Sequence, residues 1–288
     1  MISELIHYHT WFIYLSIALL SLCVGSLLNV IIYRLPLMLE ADWKAQCCEL
    51  LQCAPVNRKE KINLFFPRSF CPQCKQTVAF WCNIPLLSYL ILKGKCYHCH
   101  HSIGIRYPLI ESLTVLVSLY AAWHCGLTVS LLYILPALWT LIVLIFIDWD
   151  HQILPDCLTL SLLWLGLIAN TNHLFTSLPD AVFSAAGAYL FLWIFIRIFY
   201  LITGKIGMGN GDFKLYAAFG AWFGWQCLPF ILLIASITGA IAGLILIKIS
   251  KGNKETPIPF GPFLGLSGII YLFWGKQFIL WYLNTVFN

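Results

Sequence analysis

Eight apolar stretches, each with at most one Asp, Glu, Lys or Arg, decide what this chain can fold into. They cover residues 11–33, 108–125, 127–147, 157–170, 181–202, 213–225, 228–249 and 263–283. Runs of this kind mark membrane-crossing helices, which need about 20 residues to traverse the hydrocarbon core. The fourth and sixth stretches are short for that, so their helices must extend into their flanks to cross. Charged residues make up 10% of the chain and hydrophobic residues 60%, whereas a soluble domain carries roughly 25% charged residues. The 12 Trp and 13 Tyr supply interfacial anchors. A soluble protein would have to bury several such runs as core helices. The expected fold class is an all-α polytopic membrane protein with about eight transmembrane helices and a small cytoplasmic insert. The first stretch has no positive region before it and no small-residue cleavage pattern, so it reads as a span and not a signal peptide.

Lys and Arg set the orientation. Residues 1–10 contain none, and residues 34–106 contain ten of the seventeen. With even alternation both termini lie outside and the long loop lies in the cytoplasm. Lys205, Lys214, Lys248, Lys251 and Lys254 then also fall on the cytoplasmic side, and Lys276 alone toward the outside. Without a sixth span the run 248–254 would face outside, against the charge rule. The net charge of +5 sits on one face, which suits topology and contact with membrane lipid. No basic-plus-aromatic array points to nucleic acid.

The expected organisation is a first transmembrane segment (1–33), a cytoplasmic loop domain (34–106) and a transmembrane bundle (107–288). The short apolar run 84–92 cannot cross. Within the loop, Cys71-Pro-Gln-Cys74 and Cys96-Tyr-His-Cys99 are separated by 21 residues. Two Cys-x-x-Cys knuckles read as a tetrahedral zinc site held by Cys71, Cys74, Cys96 and Cys99. Four protein ligands leave no position for substrate, so the ion would be structural. The alternatives are two disulfides or four unrelated thiols, and the reducing cytoplasm disfavours the first. His98, His100 and His101 crowd the second knuckle as possible substitutes. Cys47, Cys48 and Cys53 lack knuckle spacing, and Cys23, Cys125, Cys157 and Cys227 read as small apolar residues in or beside spans.

Acidic residues at membrane depth are costly and default to functional candidates. Within or beside its spans the bundle holds Glu111, Asp148, Asp150, Asp156, Asp180 and Asp212. By the orientation above, Asp148 ends the third span and Asp212 opens the sixth, both at the cytoplasmic face, while Asp180 belongs to the outer side. Asp212 closes the run Gly207-Met-Gly-Asn-Gly-Asp212, whose glycines permit unusual dihedrals and close approach. Two carboxylates sharing one proton can divide the base and acid roles of an aspartic peptidase. The alternatives are solvated loop charges and caps, for Asp150 and Asp156 above all, or a cation-binding pair in a transporter.

The chain resembles bacterial type IV prepilin peptidases, the leader peptidase/N-methyltransferases. The resemblance runs in order through Gly25-Ser-Leu-Leu-Asn29-Val30, Arg34-Leu-Pro36, Pro67-Arg-Ser, the two knuckles, Ile84-Pro-Leu-Leu-Ser88, Arg106-Tyr-Pro-Leu-Ile-Glu111, Ile147-Asp148 to Leu154-Pro155-Asp156, and Gly209-Asn-Gly-Asp212. The last is similar to the Gly-x-Gly-Asp motif of intramembrane aspartic proteases, presenilins included. The resemblance implies that Asp148 and Asp212 are catalytic, with Asp150 as runner-up for the first role. It implies cleavage of the leader of type IV prepilins or type II secretion pseudopilins at the cytoplasmic face of the bacterial inner membrane. It also implies N-methylation of the new terminus with S-adenosylmethionine, for which Asn29, Arg34, Glu40 and Gly94 are the candidate cofactor-binding residues. No glycine-rich fingerprint marks that cofactor's site. The competing function is a zinc-stapled membrane transporter or scaffold without hydrolytic activity, which would predict repeat symmetry between halves; none is evident.

Overall fold

In the computed structural model, residues 10–52, 63–71, 73–79, 81, 84–205, 207–249 and 258–286 are described. Cys53, Lys59, Lys251 and Lys254 lie outside them. The described residues form nine helices: α1 (Thr10–Leu50), α2 (Leu87–Ile91), α3 (Arg106–Cys125), α4 (Val129–His151), α5 (Asp156–Asn170), α6 (Leu178–Thr203), α7 (Asn210–Phe223), α8 (Cys227–Ile249) and α9 (Gly261–Val286). Among these residues β-structure is confined to the isolated bridges Phe70–Thr77 and Lys95–Ser102. The fold is all-α.

Each of the eight apolar stretches forms most or all of a helix, with residues 127–128 and 224–225 left outside, but five helices are long and apolar enough to cross a membrane: α1, α4, α6, α8 and α9. This is a multi-pass membrane protein, and α3, α5 and α7 fall short of the length or apolarity of a crossing helix. The shortfall has a physical cause. The 15 residues of α5 and 14 of α7 extend only about 21–23 Å at 1.5 Å per residue, and α3 carries Arg106 and Glu111.

The backbone divides into two compact units, Met1–Gly126 and Leu127–Asn288. In the first, α1 continues past its apolar stretch through Pro36 to Leu50, so the predicted loop begins as helix. Residues 37–41 (Leu, Met, Leu, Glu, Ala) are strong helix formers and carry the helix on. The α1 and α3 helices pack closely at Gly25, where a Cβ would sit 2.9 Å from the Glu111 Cα. Asn29 donates from Nδ2 to Tyr107 O at 3.2 Å, tying the start of α3 to α1.

In the second unit α7 is the core. Eight consecutive residues, Leu215–Trp222, join Asp212 and Phe213 in burial. A helix apolar on every side belongs inside a bundle, and α5, α6, α8 and α9 pack around it. Small residues admit its large ones: Gly166 faces the Trp222 indole and Gly268 the Phe219 ring. Its polar ends are met by side chains. Trp222 Nε1 donates to Leu162 O at 2.9 Å, Ser184 Oγ to Gly220 O at 2.8 Å and Tyr216 Oη to Leu228 O at 2.8 Å. Asn170 Nδ2 donates to Ala221 O and Trp222 O, while its Oδ1 accepts from the N–H groups of Phe175 and Thr176.

Candidate active site and metal centre

The two knuckles are the same structure written twice, 25 residues apart. Cys71 N–H donates to Gln76 O at 3.0 Å and Lys75 N–H to Cys71 O at 2.9 Å; Cys96 N–H donates to His101 O at 2.9 Å and His100 N–H to Cys96 O at 3.0 Å. Lys75 and His100 both take positive φ, 57° and 55°, to close the turn. The sulfurs of Cys71, Cys74, Cys96 and Cys99 lie within 4.8 Å of one another. Cys71 and Cys99, from different knuckles, stand 3.7 Å apart. Tetrahedral zinc with ~2.3 Å bonds would set its sulfurs ~3.8 Å apart, so the donor set fits the ion, and no pair is at bonding distance for a disulfide. The N–H groups of Cys74 and Gln73 lead in holding the Cys71 thiol at about 6. At Cys99 the His101 N–H acts in the same sense, but desolvation and the three other sulfurs outweigh it and push that thiol up to about 11. Among the described residues no histidine joins this cluster: His98 packs edge-on against Tyr97, and His100 and His101 serve through their backbone.

Asn29 and Glu40 lie about 16 Å apart along α1 at 1.5 Å per residue. Buried Arg34 donates to the carbonyls of Asn63, Leu64 and Pro67, clamping the segment before the first knuckle. Gly94, at φ 68°, receives the Tyr89 ring, which a Cβ would meet at 2.9 Å. Glu40 keeps a partly exposed carboxylate, 3.8 Å from the Lys44 ammonium. Glu111, one of the acids flagged by depth, accepts from the Leu86 N–H at 2.9 Å, where Leu86 turns at φ 56°.

The acids of the second unit sort by burial. Asp150, Asp156 and Asp180 are exposed; Asp156 pairs with Lys214, and Asp180 caps α6 with Ser177. Asp148 and Asp212 are 5% and 8% exposed. Asp148 is in the last turn of α4. Asp212 is in the first turn of α7, where its Oδ2 accepts from the Gly209 N–H at 3.3 Å. Each has one buried oxygen, Asp148 Oδ2 and Asp212 Oδ1, with no hydrogen-bond partner, and Leu154 links their surroundings, lying against Gly211 on one side and against the Gly261 position that meets Asp148 on the other. The glycines before Asp212 serve close approach more than unusual dihedrals: none has positive φ, and a Cβ on Gly211 would lie 2.7 Å from that of Leu154.

Sequence reasoning missed Gly261, which opens α9 between Pro259 and Pro262. A Cβ there would lie 2.6 Å from Asp148 Oδ2. Proline and glycine at a helix start are a legible N-terminal signal, but the pattern does not show which carboxylate the turn faces.

An acid pair buried in a helical membrane bundle, in a chain that also gathers four cysteines able to hold a metal, has the make-up of a multi-pass membrane hydrolase. Residues 19–125 match the bacterial peptidase A24 N-terminal domain and residues 135–244 the type IV leader peptidase family. The chain belongs to that family. It is 60% identical over 284 residues to a prepilin leader peptidase/N-methyltransferase of Legionella pneumophila, with 99% of each chain covered. Proteins of the same name from Pseudomonas aeruginosa and Aeromonas salmonicida are 50% and 46% identical, covering 92% and 99% of each chain. No solved structure matches.

Proposed function

We propose that this chain removes the leader of type IV prepilins or type II secretion pseudopilins and N-methylates the new terminus, with Asp148 and Asp212 as the catalytic pair. The observation that carries the peptidase reading is that pair: two buried carboxylates in one bundle, each with an unbonded oxygen. One, ionised, takes a proton from water as the water oxygen attacks the scissile carbonyl. The other, protonated, supplies the proton with which the amine leaves as the C–N bond breaks. One proton is again shared between the two, ready for the next substrate.

Zinc on the four cysteines would hold the insert together. S-adenosylmethionine supplies an electrophilic methyl group when bound. Of its four candidate residues Glu40 alone offers a polar group still partly open, and Asn29, Arg34 and Gly94 would contribute as framework. The Lys/Arg asymmetry supports eight crossings of the bacterial inner membrane, outside termini and a cytoplasmic loop and active site.

Purified protein incubated with a pilin-like precursor tests the reading. Cleavage at the leader junction, lost in Asp148→Asn and in Asp212→Asn, is expected; an inert but folded protein would favour the transporter or scaffold.

A further inference from the structure

Gly261 lies against Asp148 and carries no chemistry of its own. An ideal Cβ on it would lie 2.6 Å from Asp148 Oδ2, 3.0 Å from Asp148 Cγ and 3.1 Å from Leu154 Cδ1. Contacts that short force a neighbour to move. Asp148 has little room to do so, because it is 5% exposed and Oδ2 is wholly enclosed. The turn that Oδ2 faces is itself unusual. Phe263 and Leu264 both give their N–H to Phe260 O, and Pro262 has none. Among the first-turn donors of α9 that leaves the N–H of Gly261, in the turn that the buried Asp148 Oδ2 faces.

We propose that Gly261 is a positioning residue of the peptidase: the space left by its missing side chain seats the Asp148 carboxylate against the start of α9, and so fixes where that carboxylate meets Asp212 and the attacking water. The inference rests on Asp148 belonging to the dyad. Gly265, one turn further along α9, provides an internal comparison. Its Cβ would lie 2.8 Å from Ile145 Cγ1, so alanine there crowds α4 to a similar degree but away from the carboxylates.

The experiment compares Gly261→Ala, Gly265→Ala, Asp148→Asn and Asp150→Asn in full-length protein, with cleavage of a pilin-like precursor and thermal unfolding as readouts. Gly261→Ala is expected to lower kcat ~100-fold, the scale of a 1 Å misplacement, with KM unchanged. Gly265→Ala should shift the unfolding midpoint as much and keep its kcat. Near-normal kcat in Gly261→Ala, a loss confined to KM, or an equal kcat loss in Gly265→Ala would overturn the proposal. Cleavage by Asp148→Asn but not Asp150→Asn would overturn the dyad assignment itself, and this inference with it. If Gly261→Ala does not insert, oxidation of the double variant Asp148→Cys, Gly261→Cys decides: its cross-linked peptide, read by mass spectrometry, supports the seating, and its absence from folded protein refutes it.

Discussion

Asn170 ties off the C-terminal end of the helix that carries Asp212, its Nδ2 donating to Ala221 O at 2.8 Å and to Trp222 O at 3.0 Å. The residue is fully buried. A helix leaves its last four carbonyls without internal partners, and α7 ends inside the bundle, where water does not reach them. Asn170→Ala should destabilise the protein by about 3 kcal/mol, since it strands buried donors and acceptors. Asn170→Asp should be no better, because it keeps the acceptor but turns a carboxyl toward two carbonyls. Thermal unfolding of the purified variants is the measurement, and an unchanged midpoint would contradict the assignment.

Zinc content gives a second prediction. The intact protein should carry one zinc per chain by elemental analysis. Serine at any of Cys71, Cys74, Cys96 or Cys99 should lower that content and loosen the insert, as should a strong chelator. Methyl transfer should suffer more than cleavage, because the aspartates stand in the other unit. A metal-free protein with an ordered insert would refute the site.

The two activities should also come apart by mutation. Cleavage needs two carboxylates and a water, whereas methylation needs a neutral amine and a positioned methyl sulfonium. Glu40→Ala and Gly94→Ala are expected to reduce methyl transfer and spare cleavage. Asp212→Ala should block both on intact precursor yet methylate pilin that has already been cut. Mass spectrometry of the pilin N-terminus reads both events, and failure on the pre-cut substrate by folded Asp212→Ala would favour a single shared site.

Topology can be read with single thiols in a cysteine-depleted background. A cysteine at Lys93 should react only from the cytoplasmic side, and one at Lys276 only from outside. Labelling of position 93 from outside would reject the orientation. Both positions on one side would remove an odd number of the eight crossings.

The sequence showed where helices form, because apolarity and charge are local properties. It also picked out four cysteines that the fold gathers to within ligand distance, and Asp148 and Asp212, which alone among the described acids of the second unit are buried. What it hid was set by tertiary partners. The short α7 stops at Gly224, with Asn170 waiting to receive its carbonyls from 51 and 52 residues away. The long α1 outruns its apolar stretch because helix formers follow Pro36. Arg34 reads as a candidate cofactor contact, yet it grips three carbonyls of a turn that has no signature in the spacing of charges. Gly261 is indistinguishable in sequence from any helix-opening glycine.

Each knuckle is closed by its own backbone hydrogen bonds, and none of those bonds joins one knuckle to the other. With zinc as the occupant, the ion therefore contributes coupling between two preformed turns, closing the 21-residue loop between them at an entropic cost that grows only slowly with loop length. Such coupling obeys mass action: well above the dissociation constant, every tenfold fall in free zinc removes about 1.4 kcal/mol from the joined state. Metal starvation would thus unhinge the two turns gradually while leaving each one folded.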